Sequence, residues 1–530
     1  MNTSLLTDRR QLLQWAAASA AGLWLPRNAW AQPRLDANPF RLGVASGSPT
    51  HDSVVLWTRL VFGKDQASGL QQGPVTVRWE VAHDEKFFHL VQTGQSQAQA
   101  GLAHSVHVEV QGLEADRWYF YRFATGDAVS STGRTRTFPA PDAAVARLRL
   151  AYASCQRWEH GYYSAYRHMR DENLDLVLFL GDYIYEYPNA GNAVRVPTGG
   201  WVLTLDDYRQ RYALHKGDAD LQAMHAACPW LLTWDDHEVQ NDYAGLTEGD
   251  NGPAVASFAA RRAAAYQAFY EHMPVRASVL TRAVAGLASG SEMRIHNRLH
   301  YGRLASLYML DARQYKDAQV CTPQGKGRSG TLKPATCLSW NDPARSMLGL
   351  PQERWLDAEL GRAGSRQTGW NVLGQTSLFG QRDLHPGPGQ RLWNDGWDGY
   401  AAARTRLLDA LRKNAASNPV LLGGDVHENW VGHVKADYAD AASPAIGVEF
   451  CGTSITSRSA GNAKIPEYLA ENPHFVFADS ERRGYGVVEF TPRQLTTTLR
   501  VVSDVTRQDS SIETLAQFSV QAGRPVIEKA

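Results

Sequence analysis

Leu176-Val177-Leu178-Phe179-Leu180-Gly181-Asp182-Tyr183-Ile184-Tyr185 decides the fold. An unbroken apolar run with no polar alternation spells a strand buried on both faces. It stops at a glycine, and the next residue is an acid. The same grammar recurs along the chain. Leu148–Ala153 runs into Ser154-Cys155-Gln156-Arg157, and Trp230–Thr233 into Trp234-Asp235-Asp236-His237-Glu238. Pro419–Leu422 runs into Gly423-Gly424-Asp425-Val426-His427-Glu428-Asn429. In open α/β sheets, ligands bind beyond the carboxyl ends of the strands. Carboxylates converging there repel one another unless a cation sits among them, so the pattern predicts a metal cluster.

Further apolar strands are expected at Ala305–Leu310 and Val372–Leu373, with helical spacing over Ala254–Met273 and Ala401–Asn414. Buried strands interleaved with helices predict a layered α/β architecture. Upstream the period changes to two. Ser53–Trp57, Val75–Val81, Ser105–Val110, Trp118–Phe123 and Arg134–Phe138 alternate apolar with polar residues, which predicts a small Ig/fibronectin-like β-sandwich ending near Pro139-Ala140-Pro141. The expected organisation is therefore a β-domain over 36–141 and a catalytic domain over 146–505. The tail over 506–530 follows, where Ser510–Val520 reads as a capping helix. Gly325–Thr331, His385–Gln390 and Asn189–Trp201 read as loops, and no internal repeat is visible.

The first residues carry an address. Arg9-Arg10 precedes an apolar run from Trp15 through Leu25 and the small-residue end Ala29-Trp30-Ala31. That is a signal peptide over 1–31, and the paired arginines point to the twin-arginine export machinery. The expected mature protein is periplasmic or secreted, monomeric, and without a stable membrane anchor. Lys+Arg and Asp+Glu are both 54, a formal net charge of zero. The chain thus lacks the signature of a nucleic acid binder working by phosphate neutralisation. Of the five cysteines, Cys228 and Cys451 read as buried and inert. Cys321 and Cys337 flank a polar loop and can bridge, although spacing does not fix their pairing.

Ligand type narrows the metal. Asp182 and Tyr185 lie within one short turn, and a phenolate ligand needs a strongly Lewis-acidic ion, because tyrosine ordinarily ionises near pH 10. Cys155 and His427 favour a transition metal, while Asp236, Asp425 and Asn241 offer oxygens to a hard divalent cation. Asp182, with two oxygens, can bridge the two ions.

Gly-Asp-x-x-Tyr at Gly181–Tyr185 is similar to the motif of purple acid phosphatases and calcineurin-like metallophosphoesterases. Asp236-His237-Glu238 stands where those proteins have Asn-His-Glu, and Gly424-Asp425-Val426-His427 where they have Gly-His-x-His. With Cys155 in place of the usual early Asp or His ligand, the chain resembles the PhoD-like alkaline phosphatases. Met309–Tyr315, Gly374-Gln375-Thr376 and Asn472-Pro473-His474-Phe475 extend the match. The resemblance implies an αββα metallophosphoesterase sandwich. It also implies Fe3+ on Cys155, Asp182, Tyr185 and His427, and Ca2+ on Asp182, Asp236, Asn241 and Asp425. Asp235 stays open beside Asn241 as the replacement for the missing motif asparagine. The implied activity is hydrolysis of small phosphate monoesters and diesters at alkaline pH. Attack on phosphorus by a metal-bound hydroxide is the expected step, with His237 on the leaving oxygen or phosphoryl charge and Arg157 on a non-bridging oxygen. The alternatives are a phospholipase-like phosphodiesterase with the same centre, and a catalytically silent, metal-stabilised surface binding protein.

Overall fold

The computed structural model describes residues 35, 37–63, 73–189, 191–281, 292–322, 327–362 and 368–530. The expected signal peptide over 1–31, residue 36, and Gly325 and Lys326 of the expected loop lie outside the described residues. The chain divides into two compact units.

The first unit takes the described residues through Ala140, with 202–231 and 259–294. Its β-sandwich follows from alternation. Trp118–Thr125 buries every second residue, and Val75–Ala82 begins the same way. One antiparallel sheet runs Leu90–Ala98, Val75–Ala82, Trp118–Thr125, Ala128–Val129, and Gly133–Arg136 also pairs with Trp118–Thr125. Opposite it, Val44–Gly47, Ser53–Arg59 and Ser105–Gln111 pair antiparallel. Val54, Leu56, Val77, Val106, Tyr121 and Phe123 fill the core between the two sets of strands. Each such side chain contributes about 1.5–3 kcal/mol on burial. The strand Leu90–Ala98 is absent from the sequence-based strands because it is an edge: most of its residues keep contact with solvent, so no apolar alternation marks it. The last strand of this β-sandwich is Gly133–Arg136. The unit also claims the helices Leu205–Lys216 and Ala219–Ala227, which the sequence reading gave to the catalytic domain. Thr204 and Asp207 form a reciprocal capping box on the first, and Asp218 caps the second.

The second unit holds residues 141–201, 232–258 and 295–530. One of its sheets runs Ile527–Lys529, Ile512–Gln521, Gln494–Val502, Gly484–Phe490, Leu148–Ala153, Leu176–Leu180. Leu176–Leu180 lies parallel to Leu148–Ala153, and Gly484–Phe490 antiparallel to it. The other sheet runs Asn297–Tyr301, Ala305–Met309, Trp370–Gly374, Pro419–Gly423, Ala445–Cys451, Asn429–Lys435, Phe475–Asp479, parallel across its middle. The sheets face each other: Trp370 meets Phe490 with ring centroids 5.8 Å apart, and Gly374 lies against Leu180. On the second sheet Leu350–Gly361 and Ala401–Lys413 pack Leu356, Leu360, Leu407, Leu408 and Leu411 onto Tyr308, Leu373 and Leu421.

The expected helix over Ser510–Val520 is corrected to a strand. Ile512–Gln521 pairs antiparallel with Gln494–Val502, Leu495 opposite Val520. Ala516, Phe518 and Val520 are buried at every second position, a period of two beneath residues that also suit a helix. The segment after residue 505 is thus the margin of a catalytic sheet, not a cap.

Candidate metal centre

The strand ends converge. Leu148–Ala153 and Leu176–Leu180 are parallel neighbours, so the turns after them emerge side by side, with Cys155 N–H donating to Gly181 O and Gln156 N–H to Asp182 O. The turns are sharp. Cys155, Asp182, Asp425 and His427 all take left-handed backbone, with φ of 59°, 60°, 65° and 58°. That conformation costs a non-glycine residue of order 1–3 kcal/mol and persists only where surrounding structure enforces it. Gly181 (φ +100°) is required: a Cβ there would lie 2.6 Å from Asp235 Cβ and 2.9 Å from its backbone nitrogen. Gly424 likewise lets the Pro419–Gly423 strand end close on Ser154, whose Oγ would be 2.3 Å from an added Cβ. Glu238 ties two of these loops together, its carboxylate accepting the N–H groups of Tyr183 (2.6 Å), Asp235 (2.9 Å) and Asp182 (3.2 Å).

Donor atoms of Cys155, Asp182 and His427 lie within 4.8 Å of one another. The Tyr185 hydroxyl joins them, donating to Asp182 Oδ2 at 2.9 Å and lying 3.4 Å from His427 Nε2. Ser457 Oγ, 2.6 Å from that hydroxyl, donates to Cys155 O at 2.9 Å and steadies the group. His427 Nδ1 donates to Arg458 O at 2.8 Å, which leaves Nε2 as the lone-pair nitrogen. Burial, against the Arg458 carbonyl and with Arg483, drops the His427 pKa to about 3, so the imidazole is neutral. A second group, Asp182, Asp236 and His237, shares Asp182 with the first.

These groups suit a cation. Burial, then the charge of Asp182, pushes the Cys155 thiol well up, and burial, then Asp182 and Cys155, does the same to Tyr185. Burial raises Asp182 well above the carboxylate range, with Asp235, Asp236 and Glu238 adding to it against His237. Left to themselves they would hold protons. Asp182 Oδ1 is buried with no hydrogen-bond partner, a lone pair without an acid. Thiolate, phenolate, imidazole and carboxylate together form the donor set of a transition metal.

The remaining sequence-derived residues fall as follows. Asp236 is buried, and despite that burial Arg313 and His237 hold its pKa down. Asp425 accepts from Ser377 Oγ at 3.1 Å and stands outside the compact donor groups, although burial and Asp235 raise it strongly. Asn241 joins the site through its backbone N–H, 2.6 Å from Glu186 Oε1. Asp235 takes the Arg313 guanidinium on Oδ1, while its Oδ2 is unpartnered. Arg157 is 2% exposed and lies over the Tyr185 and Tyr187 rings at 4.1 and 4.3 Å, with both terminal nitrogens lacking hydrogen-bond partners. No ion pair joins it to Glu159 among the described residues. Gln375 is used up in the core, accepting from Trp397 Nε1 and Ser377 N–H.

Sequence reasoning passed over Glu186, Asp242, Arg313, Lys316, Asp395 and Ser457. Asp395 receives Arg313 on both oxygens (3.0 and 2.8 Å) and Lys316 at 2.7 Å, and Arg313 also holds Asp235. Against burial, those cations keep Asp395 far below the carboxylate range, while Lys316 is itself pushed down by burial and Arg313. Asp236, Asp242 and Asp395 form a third compact acidic group, in which Arg313 reaches Asp236 and Asp395 and Lys316 reaches Asp395, while burial and those two acids raise Asp242 to about 6. The signal was in Met309–Tyr315, where an apolar strand runs into Asp311 and Arg313 as the other strands run into acids. Cys321 and Cys337 form a disulfide with Cα atoms 6.0 Å apart, while Cys155, Cys228 and Cys451 are buried outside any disulfide among the described residues. A groove of about 420 Å³ lined by Trp370, Pro419 and Ala445 lies at the amino ends of the parallel strands, far from these donors in the sheet, and holds no acid or histidine.

Two family profiles match the chain: "PhoD-like phosphatase" over residues 150–499 and "PhoD-like phosphatase, N-terminal domain" over 27–139. Alkaline phosphatase D of Bacillus subtilis (strain 168) is 42% identical over 539 residues, spanning 98% of this chain and 89% of that protein. A solved structure described as that of PhoD superposes with a TM-score of 0.86 at 43% identity, covering 94% of this chain and 93% of its own.

Proposed function

This chain belongs to the PhoD-like phosphatase family, and on that premise we propose that it is an exported, metal-dependent phosphoesterase acting on phosphate monoesters, diesters or both at alkaline pH. It is a phosphoric ester hydrolase of the alkaline phosphatase kind. The observation that carries the reading is the meeting of Cys155, Asp182, Tyr185 and His427 in one buried pocket, with no cation of the described residues paired to Asp182 Oδ1.

Cys155, Asp182, Tyr185 and His427 would hold Fe3+, and Asp182, Asp236, Asn241 and Asp425 would give oxygens to Ca2+, with Asp182 common to both. When bound, the ions supply Lewis acidity for activating water and for drawing charge from the phosphoryl oxygens. The side chains divide the rest of the work. Arg157, its terminal N–H groups free and its face pressed on Tyr185 and Tyr187, donates to a non-bridging phosphoryl oxygen. His237, beside Asp182 and Asp236, donates to the oxygen leaving phosphorus. The tyrosine rings and the 8% exposure of His237 limit water around that ring.

The paired arginines and small-residue end of residues 1–31 support twin-arginine export, and the Cys321–Cys337 disulfide suits an oxidising compartment. Among the described residues no helix is long and apolar enough to cross a membrane. Elemental analysis of natively exported protein tests the metals, together with its visible spectrum, since thiolate or phenolate on Fe3+ absorbs visible light. A colourless protein free of iron would reject the ferric assignment. Paired assays on a monoester and a diester set the preference.

A further inference from the structure

We propose that Glu186 is a positioning residue that locks the His237 ring, so that Nε2 is the nitrogen presented to the oxygen leaving phosphorus. The proposal rests on the role given to His237 above. The Glu186 side chain is fully buried, at 0% exposure. Its Oε2 lies 2.7 Å from His237 Nδ1, and its Oε1 accepts the Asn241 N–H at 2.6 Å. One oxygen therefore holds the ring and the other holds the backbone of the turn that carries it.

Among the described ion pairs the imidazole is the partner of Glu186, and no arginine or lysine shares it. The neighbouring acids differ: Asp235 and Asp395 both engage Arg313. Burying a carboxylate costs several kcal/mol, and a loop could be tied to a turn by a neutral amide at less expense. A carboxylate does what an amide cannot. It only accepts, so the hydrogen on its side of the ring must be on Nδ1, and the ring cannot flip without losing the bond. Tyr185 lies against the ring at 4.2 Å and Tyr187 at 5.8 Å, which restrains rotation from the flanks. Nε2 is then the ring nitrogen left to face the pocket of Asp182 and Asp236, and the proton it gives the leaving oxygen is the second one of an imidazolium whose first stays on Nδ1 against Glu186.

The competing view is that Glu186 only staples two loops. Kinetics of the full-length, metal-loaded Glu186→Gln enzyme separate the two, with 4-nitrophenyl phosphate compared against glycerol 3-phosphate. The aryl oxygen leaves with little help, whereas the alkyl oxygen needs a donor. The expected result is a kcat about 10–100-fold lower on the alkyl ester and less than about threefold lower on the aryl ester. KM and bound metal per chain stay unchanged, and Glu186→Asp recovers part of the alkyl rate. Equal losses on both esters, no loss on either, or loss of metal would each overturn the proposal. His237→Ala is the reference. If it hydrolyses both esters at the parent rate, the reading of His237 itself fails. If it loses alkyl turnover while Glu186→Gln does not, only the role of Glu186 is lost.

Discussion

Asp395 and Asp182 are both buried carboxylates among other acids, yet they are held in opposite ways. Asp395 has Arg313 on both oxygens and Lys316 on one, so its charge is neutralised by the chain itself. Asp182 has the Tyr185 hydroxyl, a backbone that bends into the left-handed region, and an oxygen with nothing on it. Side by side, they show one fold carrying a buried acid that the chain's own cations neutralise and a buried acid that they leave with an open oxygen. Asp236 stands between the two, touched by Arg313 and sharing a donor group with Asp182.

The strongest way to break this contrast is Asp182→Asn, which removes the charge that both donor groups share. Turnover should fall by about 10³-fold or more, with iron lost, as read by activity and elemental analysis. Near-normal turnover would place the chemistry elsewhere. Asp395→Asn tests the other side, since it takes the carboxylate from Lys316 and leaves Arg313 only Asp235 and Asp236. A loss of about 3–5 kcal/mol in denaturant unfolding is expected, because an uncompensated buried charge remains. Arg157→Leu follows. It should lower kcat/KM by about 10²-fold while stability moves by about 1 kcal/mol or less, because the guanidinium makes no terminal hydrogen bond to lose.

The smallest effect is a change of pH dependence on metal removal. In the metal-free protein the folded pKa values of Asp182, Asp425 and Cys155 are raised, by burial first and then by neighbouring acids. A raised folded pKa means the folded state holds more protons than the unfolded one. That stability is fully present below the unfolded pKa and is lost as pH rises through the folded one. Chelated protein should therefore melt several degrees lower at about pH 9 than at about pH 5, and added metal should flatten the difference. A flat profile without metal would mean that the pocket does not need a cation.

The convergence of the candidate donors was legible in the sequence because each lies just beyond an apolar run, and strand ends are where a sheet gathers side chains. Cys155, Asp182, Tyr185, Asp236, His237 and His427 all come from such ends. The neutralised acid was not. Asp395 sits in Asn394-Asp395-Gly396, which reads as a turn, and it reaches Arg313 only through the fold. Glu186 follows Tyr185 directly, but its partner His237 lies on another loop, and sequence distance hides the pair. The misread segments have a plainer cause. Leu90–Ala98 is an exposed edge without an apolar stripe, and Ile512–Gln521 alternates through residues such as Leu515 and Ala516 that also suit helices.

The antiparallel neighbour of Leu148–Ala153, the strand that ends at Cys155, is Gly484–Phe490, and Gln494–Val502, Ile512–Gln521 and Ile527–Lys529 build outward from it. A ribosome must therefore release almost the whole polypeptide before the strand beneath Cys155 gains its second flank. A nascent or shortened chain ending before Gly484 would expose an unfinished β-edge and could not brace the turn at Cys155. A fusion at the carboxyl end is joined directly to the outermost strand of this sheet, Ile527–Lys529.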